Sequence, residues 1–351
     1  MSLGIYVHMP FCRSRCGYCS FYSAFLASSD DVGRYKGALL QQLRLVDFPA
    51  ATTIYFGGGT PSLFPPDFFA TVVTEVMRRA GAAPLEVTVE CNPDISEEYI
   101  VKLQRAGVTR LSVGVQSADP ATLKWLKRDH GVSLNKLVCR LRRAQQVGLQ
   151  VSVDFIAGIP GTTVGQVSHE MVPFTFVDHI SLYTLDLPPS HPQARLLNGD
   201  FQYDSFMAAQ EYLGGCGFVW YEISNFCRPG KASRHNSLYW RGQPYLALGS
   251  GAAGFSGKVR YRVPADSQAY MAAQGCVALA IDEFIDEREA LREQILLGLR
   301  TSQGIEARLL PPEQLEMALN QGLLEALPAG RVGIPQHLWL NYNEVVGRLG
   351  F

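Results

Sequence analysis

The chain has 351 residues, 47% of them apolar and 18% charged, with a formal net charge of −1. A composition so rich in core-forming residues excludes a mainly disordered protein. The near-cancelled charge removes any global field that would favour nucleic acid or a cation store.

Short apolar, β-branched runs at 5–9, 53–56, 85–90, 110–115, 151–156 and 179–185 read as strands. Between them, amphipathic stretches at 32–46, 66–79, 97–106, 121–128 with 135–147, and 163–176 read as helices. A strand followed by a helix, repeated in this way, predicts an α/β chain with a parallel sheet and right-handed crossovers. The units fall short of the eight of a closed barrel, so an open, partial (β/α)6 TIM-like barrel is expected. Past residue 200 the alternation fades. Residues 201–217 read as a helix and 218–224 as a strand, followed by a glycine- and aromatic-rich region at 235–261 and helices over 282–300 and 311–325; a short turn and 339–349 close the chain. The expected division is a core at 1–230, a connecting region next to cargo or substrate at 231–281, and a small helical, winged-helix-like unit at 282–351. No apolar run approaches the ~18 residues of a membrane span, although peripheral membrane contact is left open. Residues 1–12 lack the basic and apolar regions of a signal peptide. A reducing, cytoplasmic setting is therefore expected.

In open parallel sheets, chemistry gathers at the carboxyl ends of the strands. Cys12, Cys16 and Cys19 follow the first expected strand, and Gly57-Gly58-Gly59-Thr60-Pro61 follows the second. Glu90-Cys91-Asn92-Pro93 ends the third, Gln116-Ser117 the fourth, and Asp154 lies near the end of the fifth. All fall on one rim, which points to one shared site. The CysX3CysX2Cys spacing has no second Cys/His pair with which to close a zinc tetrahedron. On a [4Fe–4S] cluster, three thiolates leave one iron without a protein ligand. A zinc site with a distant fourth ligand, or chance clustering, are the competing readings of the spacing alone. For Glu90 and Asp154 the default is a cap or a surface charge. Cys139, Cys216 and Cys276 read as small buried apolar residues, and Cys227 as a residue that could be exposed. His130, His169, His179 and His337 show no ligand spacing and read as surface or capping residues.

The run Tyr6-Val7-His8-Met9-Pro10-Phe11-Cys12, continuing to Cys16, Tyr18 and Cys19, resembles the cluster loop of the radical SAM superfamily. In particular it resembles the oxygen-independent coproporphyrinogen III oxidase-like family, which opens with Tyr-X-His-X-Pro-Phe-Cys. The resemblance implies a [4Fe–4S] cluster on Cys12, Cys16 and Cys19. It also implies S-adenosylmethionine chelated at the open iron and cleaved to a 5′-deoxyadenosyl radical. Gly58, Gly59 and Thr60 match the glycine motif that recognises the methionine end, and Glu90 matches the acidic residue near the ribose. Gln116, Arg128 and Asp154 match other cofactor-pocket positions, as do Tyr6 and Tyr18 around the cluster.

Two departures point to the haem-chaperone (HemW-type) branch of that family. The oxidase branch carries a further cysteine two places after the last ligand, where this chain has Phe21. It also has a substantial segment before the tyrosine, where this chain has five residues. His235-Asn236-Ser237-Leu238-Tyr239-Trp240 matches a motif of the chaperone branch and implies that His235 touches haem iron. The implied partners are haem or a porphyrin as cargo, haem-acceptor proteins and a reduced electron donor. The alternative activity is oxidative decarboxylation of coproporphyrinogen III propionates to vinyls.

Overall fold

The computed structural model describes residues 3–48 and 50–351. Its centre is a run of parallel strands: β1 (Gly4–Met9), β2 (Thr53–Gly58), β3 (Glu86–Cys91), β4 (Arg110–Gln116), β5 (Gln150–Ala157) and β6 (His179–Thr184), neighbours in that order. Each lies within a residue or two of its expected position. Side chains alternate between the two faces of a strand. One face carries Ile5, Val7 and Met9, Ile54 and Phe56, Val87 and Val89, Leu111 and Val113, and Val151, Val153 and Phe155, all buried in the core. The other carries Tyr6 and His8, Tyr55, Thr88 and Glu90, Arg110 and Ser112, Ser152 and Asp154, and His179 and Ser181. Parallel strands covered on both faces ordinarily read as near-continuous apolar runs. Here the concave face is polar and surrounds a lumen.

The crossover helices cover the apolar face. They are α1 (Ser29–Leu45), α2 (Pro66–Ala80), α3 (Glu97–Arg105), α4 (Pro120–Trp125), α5 (Leu134–Gln146) and α6 (Gln166–Met171), followed by α7 (Gly199–Gly215). α2 shows why such a segment folds and docks. Pro66 opens it where a missing N–H does no harm, and Gly81 ends it in the left-handed conformation. Phe68, Phe69, Val72, Val73 and Val76 form its buried stripe, with Phe69 edge-on to Phe56 at 4.9 Å. Each such side chain contributes about 1.5–3 kcal/mol on leaving water. The helix expected over 163–176 is shorter. α6 stops at Met171, and a 3-10 turn, Val172–Phe174, follows, because Pro173 has no N–H for a continuing α-helix.

Beyond α7 the sheet keeps growing at both edges. β7 (Val219–Glu222) and β8 (Asn225–Cys227) add an antiparallel hairpin beside β6. After α8 (Arg234–Trp240), β9 (Tyr245–Leu248) joins β1 in parallel, and β10 (Ala253–Phe255), β11 (Val259–Arg262) and β12 (Ala280–Phe284) continue antiparallel. A short helix, α9 (Ser267–Ala272), lies between β11 and β12. The result is a 12-stranded open sheet that runs unbroken past residue 230. Residues 282–284, expected as the start of a helix, belong instead to edge strand β12. The helix proper, α10 (Glu287–Leu299), begins after Asp286, whose side chain accepts the Glu289 N–H.

The C-terminal part is winged-helix-like. α10, α11 (Pro312–Asn320) and α12 (Tyr342–Arg348) surround a three-stranded sheet of Ile305–Glu306, Glu325–Leu327 and Arg331–Gly333. Trp339 packs edge-on against Trp220 of β7 at 4.6 Å. The Arg300 guanidinium lies between the rings of Trp240 and Tyr342, at 4.8 and 5.2 Å. Among the described residues no helix is long and apolar enough to cross a membrane.

Candidate functional site

The cysteine loop leaves the carboxyl end of β1. Phe11–Cys12 pairs in parallel with Ala24–Phe25, which closes the loop on itself. Further bonds fix it: Ala24 N–H to Pro10 O at 2.8 Å and Gly17 N–H to Leu126 O at 3.2 Å. His8 bridges Tyr6 OH through Nδ1 (3.0 Å) and the Tyr22 carbonyl through Nε2 (2.9 Å). Cys12, Cys16 and Cys19 are half-buried, with free thiols.

The glycine motif at the end of β2 is laced to this loop. Gly59 N–H donates to Met9 O at 2.9 Å and Thr60 N–H to Phe11 O at 2.8 Å. Gly58 has φ +106°, and a Cβ there would run into the His8 ring. Two donors reach the sulfurs: Thr60 Oγ1 to Cys12 Sγ at 3.5 Å and Arg128 Nη1 to Cys16 Sγ at 3.4 Å. Arg128 also donates to Tyr18 OH (3.4 Å), Asn92 Oδ1 (3.2 Å) and Gly114 O (2.6 Å), so it ties the loop to β4.

Below the loop lies a cavity of about 560 Å³, and most of the expected site residues line it: Cys16, Tyr18, Cys19, Gly58, Gly59, Thr60, Glu90, Gln116, Arg128 and Asp154. Cys12 is held at its edge through Thr60. Tyr6 supports the wall, stacked on Tyr55 at 6.2 Å. Glu90 accepts the Tyr55 hydroxyl at 2.7 Å and the Gly58 N–H at 3.1 Å. Burial, with the nearby Asp154 charge adding to it, pushes the Glu90 carboxyl up to about 7 despite the Tyr55 bond. Burial likewise raises Asp154, against the pull of its serine and arginine neighbours. Both groups favour a ligand that presents hydroxyls or positive charge.

Sequence reasoning missed a second tier of the lumen. Tyr55, Arg110, Ser112, Ser181 and Tyr183 also line the cavity. Their signal was present, as polar residues at every second position of strands whose fold class predicts apolar runs.

The residues present suit the group the cysteine pattern implies. Hydroxyl and guanidinium donors point at the sulfurs, which is how a protein supports thiolates. The glycines leave a cradle that a Cβ would fill: at Gly59 it would lie 2.7 Å from the Met9 and Pro10 carbonyl oxygens. Arg128 Nε is buried without a hydrogen-bond partner. Among the described residues, no three His, Cys, Asp or Glu side chains converge on one metal-ion position. A cluster asks one thiolate per iron rather than three on a single ion.

His235 is not brought to this site. It lies at the opposite end of the strands, fully buried in the first turn of α8. Its Nδ1 bonds Thr53 Oγ1 and its Nε2 bonds Tyr239 OH, each at 2.7 Å. Its backbone N–H, with that of Arg234, donates to the Glu86 carboxylate at 2.9 Å. Burial, with the charge of Arg110, pushes the imidazole down to about 3. Both ring nitrogens are engaged, so the expected contact with haem iron is absent from this geometry, and His235 helps to plug the barrel floor. His179, expected in a surface or capping role, is also buried, between Ser152 Oγ (2.8 Å) and Tyr221 OH (2.9 Å). Cys227 is buried in β8, whereas Cys139 and Cys276 are exposed because they occupy outer positions of their segments.

A profile of the radical SAM superfamily matches residues 6–170, the segment that carries the cysteine loop and the other four strand ends described above. The chain belongs to that superfamily, and its [4Fe–4S] cluster and S-adenosylmethionine follow from that membership. The heme chaperone HemW of Mycobacterium tuberculosis (strain CDC 1551 / Oshkosh) is 35% identical over 347 residues, spanning 92% of this chain and 88% of its own. HemW of Lactococcus lactis is 31% identical over 86% of this chain and 82% of its own. Among solved structures, coproporphyrinogen III oxidase (HemN) from Escherichia coli shares the fold with a TM-score of 0.79, at 16% identity over 99% of this chain and 90% of that one. Within the superfamily, the chain belongs to the HemW family.

Proposed function

We propose that the chain is a haem chaperone that binds haem and passes it to acceptor proteins. The cluster and S-adenosylmethionine are held at the mouth of the barrel, in a reducing compartment where the free thiols stay available. The supporting observation is the residue two places after Cys19. Phe21 stands there, 62% exposed at the edge of the cavity, where the decarboxylating branch has a cysteine. The end-to-end likeness to proteins named heme chaperone supports the same reading.

When bound, the cluster supplies an open iron and one electron, delivered by a reduced donor, to the sulfonium cofactor. The chain's own residues do the rest. Cys12, Cys16 and Cys19 anchor the cluster, and Arg128 and Thr60 donate to the sulfurs. The Gly58–Gly59–Thr60 backbone would face the zwitterionic end of the cofactor. Glu90 would accept from its hydroxyls, Gln116, Asp154 and Tyr18 would complete the wall, and Tyr6 and His8 would keep the loop in register.

Anaerobically reconstituted protein should form a one-to-one haem complex and give up that haem to a haem-free acceptor. It should leave coproporphyrinogen III unchanged in the presence of S-adenosylmethionine and a reductant. Formation of vinyl product without a stable haem complex would overturn this reading in favour of the oxidase.

A further inference from the structure

Glu90 reaches the lumen already half engaged. Tyr55 OH donates to its Oε1 at 2.7 Å and the Gly58 N–H to its Oε2 at 3.1 Å. An ionised carboxylate offers about four acceptor sites, two on each oxygen. One site on each oxygen is therefore left over, side by side, which is the pattern that a vicinal diol satisfies with its two O–H donors.

Tyr55 is the part of this arrangement that no motif marks. Its ring is braced by Tyr6, stacked at 6.2 Å, and by His235 of the barrel floor at 5.1 Å. The backbone makes room for the pair as well. A Cβ at Gly57 would lie 2.8 Å from the Tyr55 ring and 3.1 Å from the Glu90 carboxyl group. The phenol is thus fixed by its neighbours before any ligand arrives, and Glu90 is fixed by the phenol.

We propose that Tyr55 is a positioning residue for the sulfonium cofactor, orienting Glu90 so that its two remaining acceptor sites meet the ribose diol. The inference rests on the placement of Glu90 at the ribose. It gives the floor histidine a path to the cofactor pocket, through the face of the Tyr55 ring. The bond also opposes protonation of Glu90, because a donor to the charged form favours that form. Around Glu90 stand Asp154 on β5, the hydroxyls of Tyr6 on β1, Tyr183 on β6 and Tyr239 on α8, and the adjoining Cys91 thiol. The arginines lining the same cavity are Arg110 and Arg128. Burial raises the phenols and the thiol, and Asp154 is common to every protein compared below.

The test is the affinity of the anaerobically reconstituted chain for S-adenosylmethionine, by calorimetric titration from about pH 6 to 9. The proteins are wild type, Tyr55→Phe, Glu90→Gln and the double variant. Tyr55→Phe keeps the braced ring and removes one oxygen, so iron content should match wild type. Its affinity should be about tenfold lower at neutral pH and recover as the pH rises. The pH below which binding weakens should lie about one unit or more above that of wild type. A merely structural role for the hydroxyl would not move that profile. In the Glu90→Gln background, removing the Tyr55 hydroxyl should change affinity by no more than about twofold. A Tyr55→Phe profile superimposable on wild type, with Glu90→Gln weakened, would overturn the proposal. Equal losses from Tyr55→Phe in both backgrounds would also overturn it, since the hydroxyl would then act independently of Glu90. Wild-type affinity in Glu90→Gln would instead remove Glu90 from the ribose, and with it the placement on which the proposal rests.

Discussion

Replacing His235 with alanine separates two accounts of the HNxxYW segment. In this structure the imidazole is a strut rather than a ligand. Its removal leaves the Thr53 hydroxyl and the Tyr239 hydroxyl without a partner in the protein interior, 2.7 Å from where each had one. A buried polar group left unpaired costs about 1–3 kcal/mol, and emptying a large buried side chain to alanine costs about 2–5 kcal/mol. The vacated space lies between the rings of Tyr55 and Tyr239, each 5.1 Å from the imidazole centre. Partial collapse of those rings and entry of a water offset some of the cost, so a net loss of about 3–5 kcal/mol is expected. At about 1.4 °C per kcal/mol for a chain of 351 residues, the melting temperature should fall by roughly 4–7 °C. Calorimetry of the apoprotein reads this directly, and a parallel haem titration below the melt should show an unshifted Soret band. An apoprotein that melts with the wild type but loses its Soret band would refute the reasoning and return the histidine to the iron.

Further expectations concern the cluster and cofactor pocket. Gly59→Ala places a methyl 2.7 Å from the Met9 and Pro10 carbonyl oxygens. The overpacking should cost about 1–3 kcal/mol, and iron content after reconstitution should drop with it. Glu90 sits above the ordinary carboxylate range in the fold, so the native chain binds more protons than the unfolded one between about pH 4.5 and 7. Apoprotein stability should therefore fall as pH rises through that window. Denaturant titrations of Glu90→Gln should lack this component, so that the variant gains on wild type from pH 4.5 to 7 and no further above it. Arg128→Gln removes a cationic donor from Cys16 Sγ. Hydrogen bonds to cluster sulfurs tune potential, so the midpoint measured by redox titration should move to more negative values.

Much of the barrel was legible because its signals are local. The six core strands announce themselves by short β-branched runs, and the site residues by their place at the strand ends. What escaped depends on distance along the chain. β9 is four residues long and is drawn into the sheet by its parallel pairing with β1, some 240 residues earlier. The lock on His235 is invisible without Thr53, 182 residues away. A motif match can mark such a histidine as special but cannot say whether its nitrogens are free. The polar lumen was readable in principle, since Thr88, Arg110, Ser112, Ser152 and Ser181 interrupt buried strands at every second position.

The account stands on the cofactor completing the cluster at the mouth of the lumen. The most direct measurement is the low-temperature EPR of anaerobically reconstituted, reduced protein with and without S-adenosylmethionine. A [4Fe–4S]⁺ signal whose g-values shift on addition of the cofactor, and which is lost in Cys16→Ala, is the predicted result. A signal unmoved by saturating cofactor would contradict it.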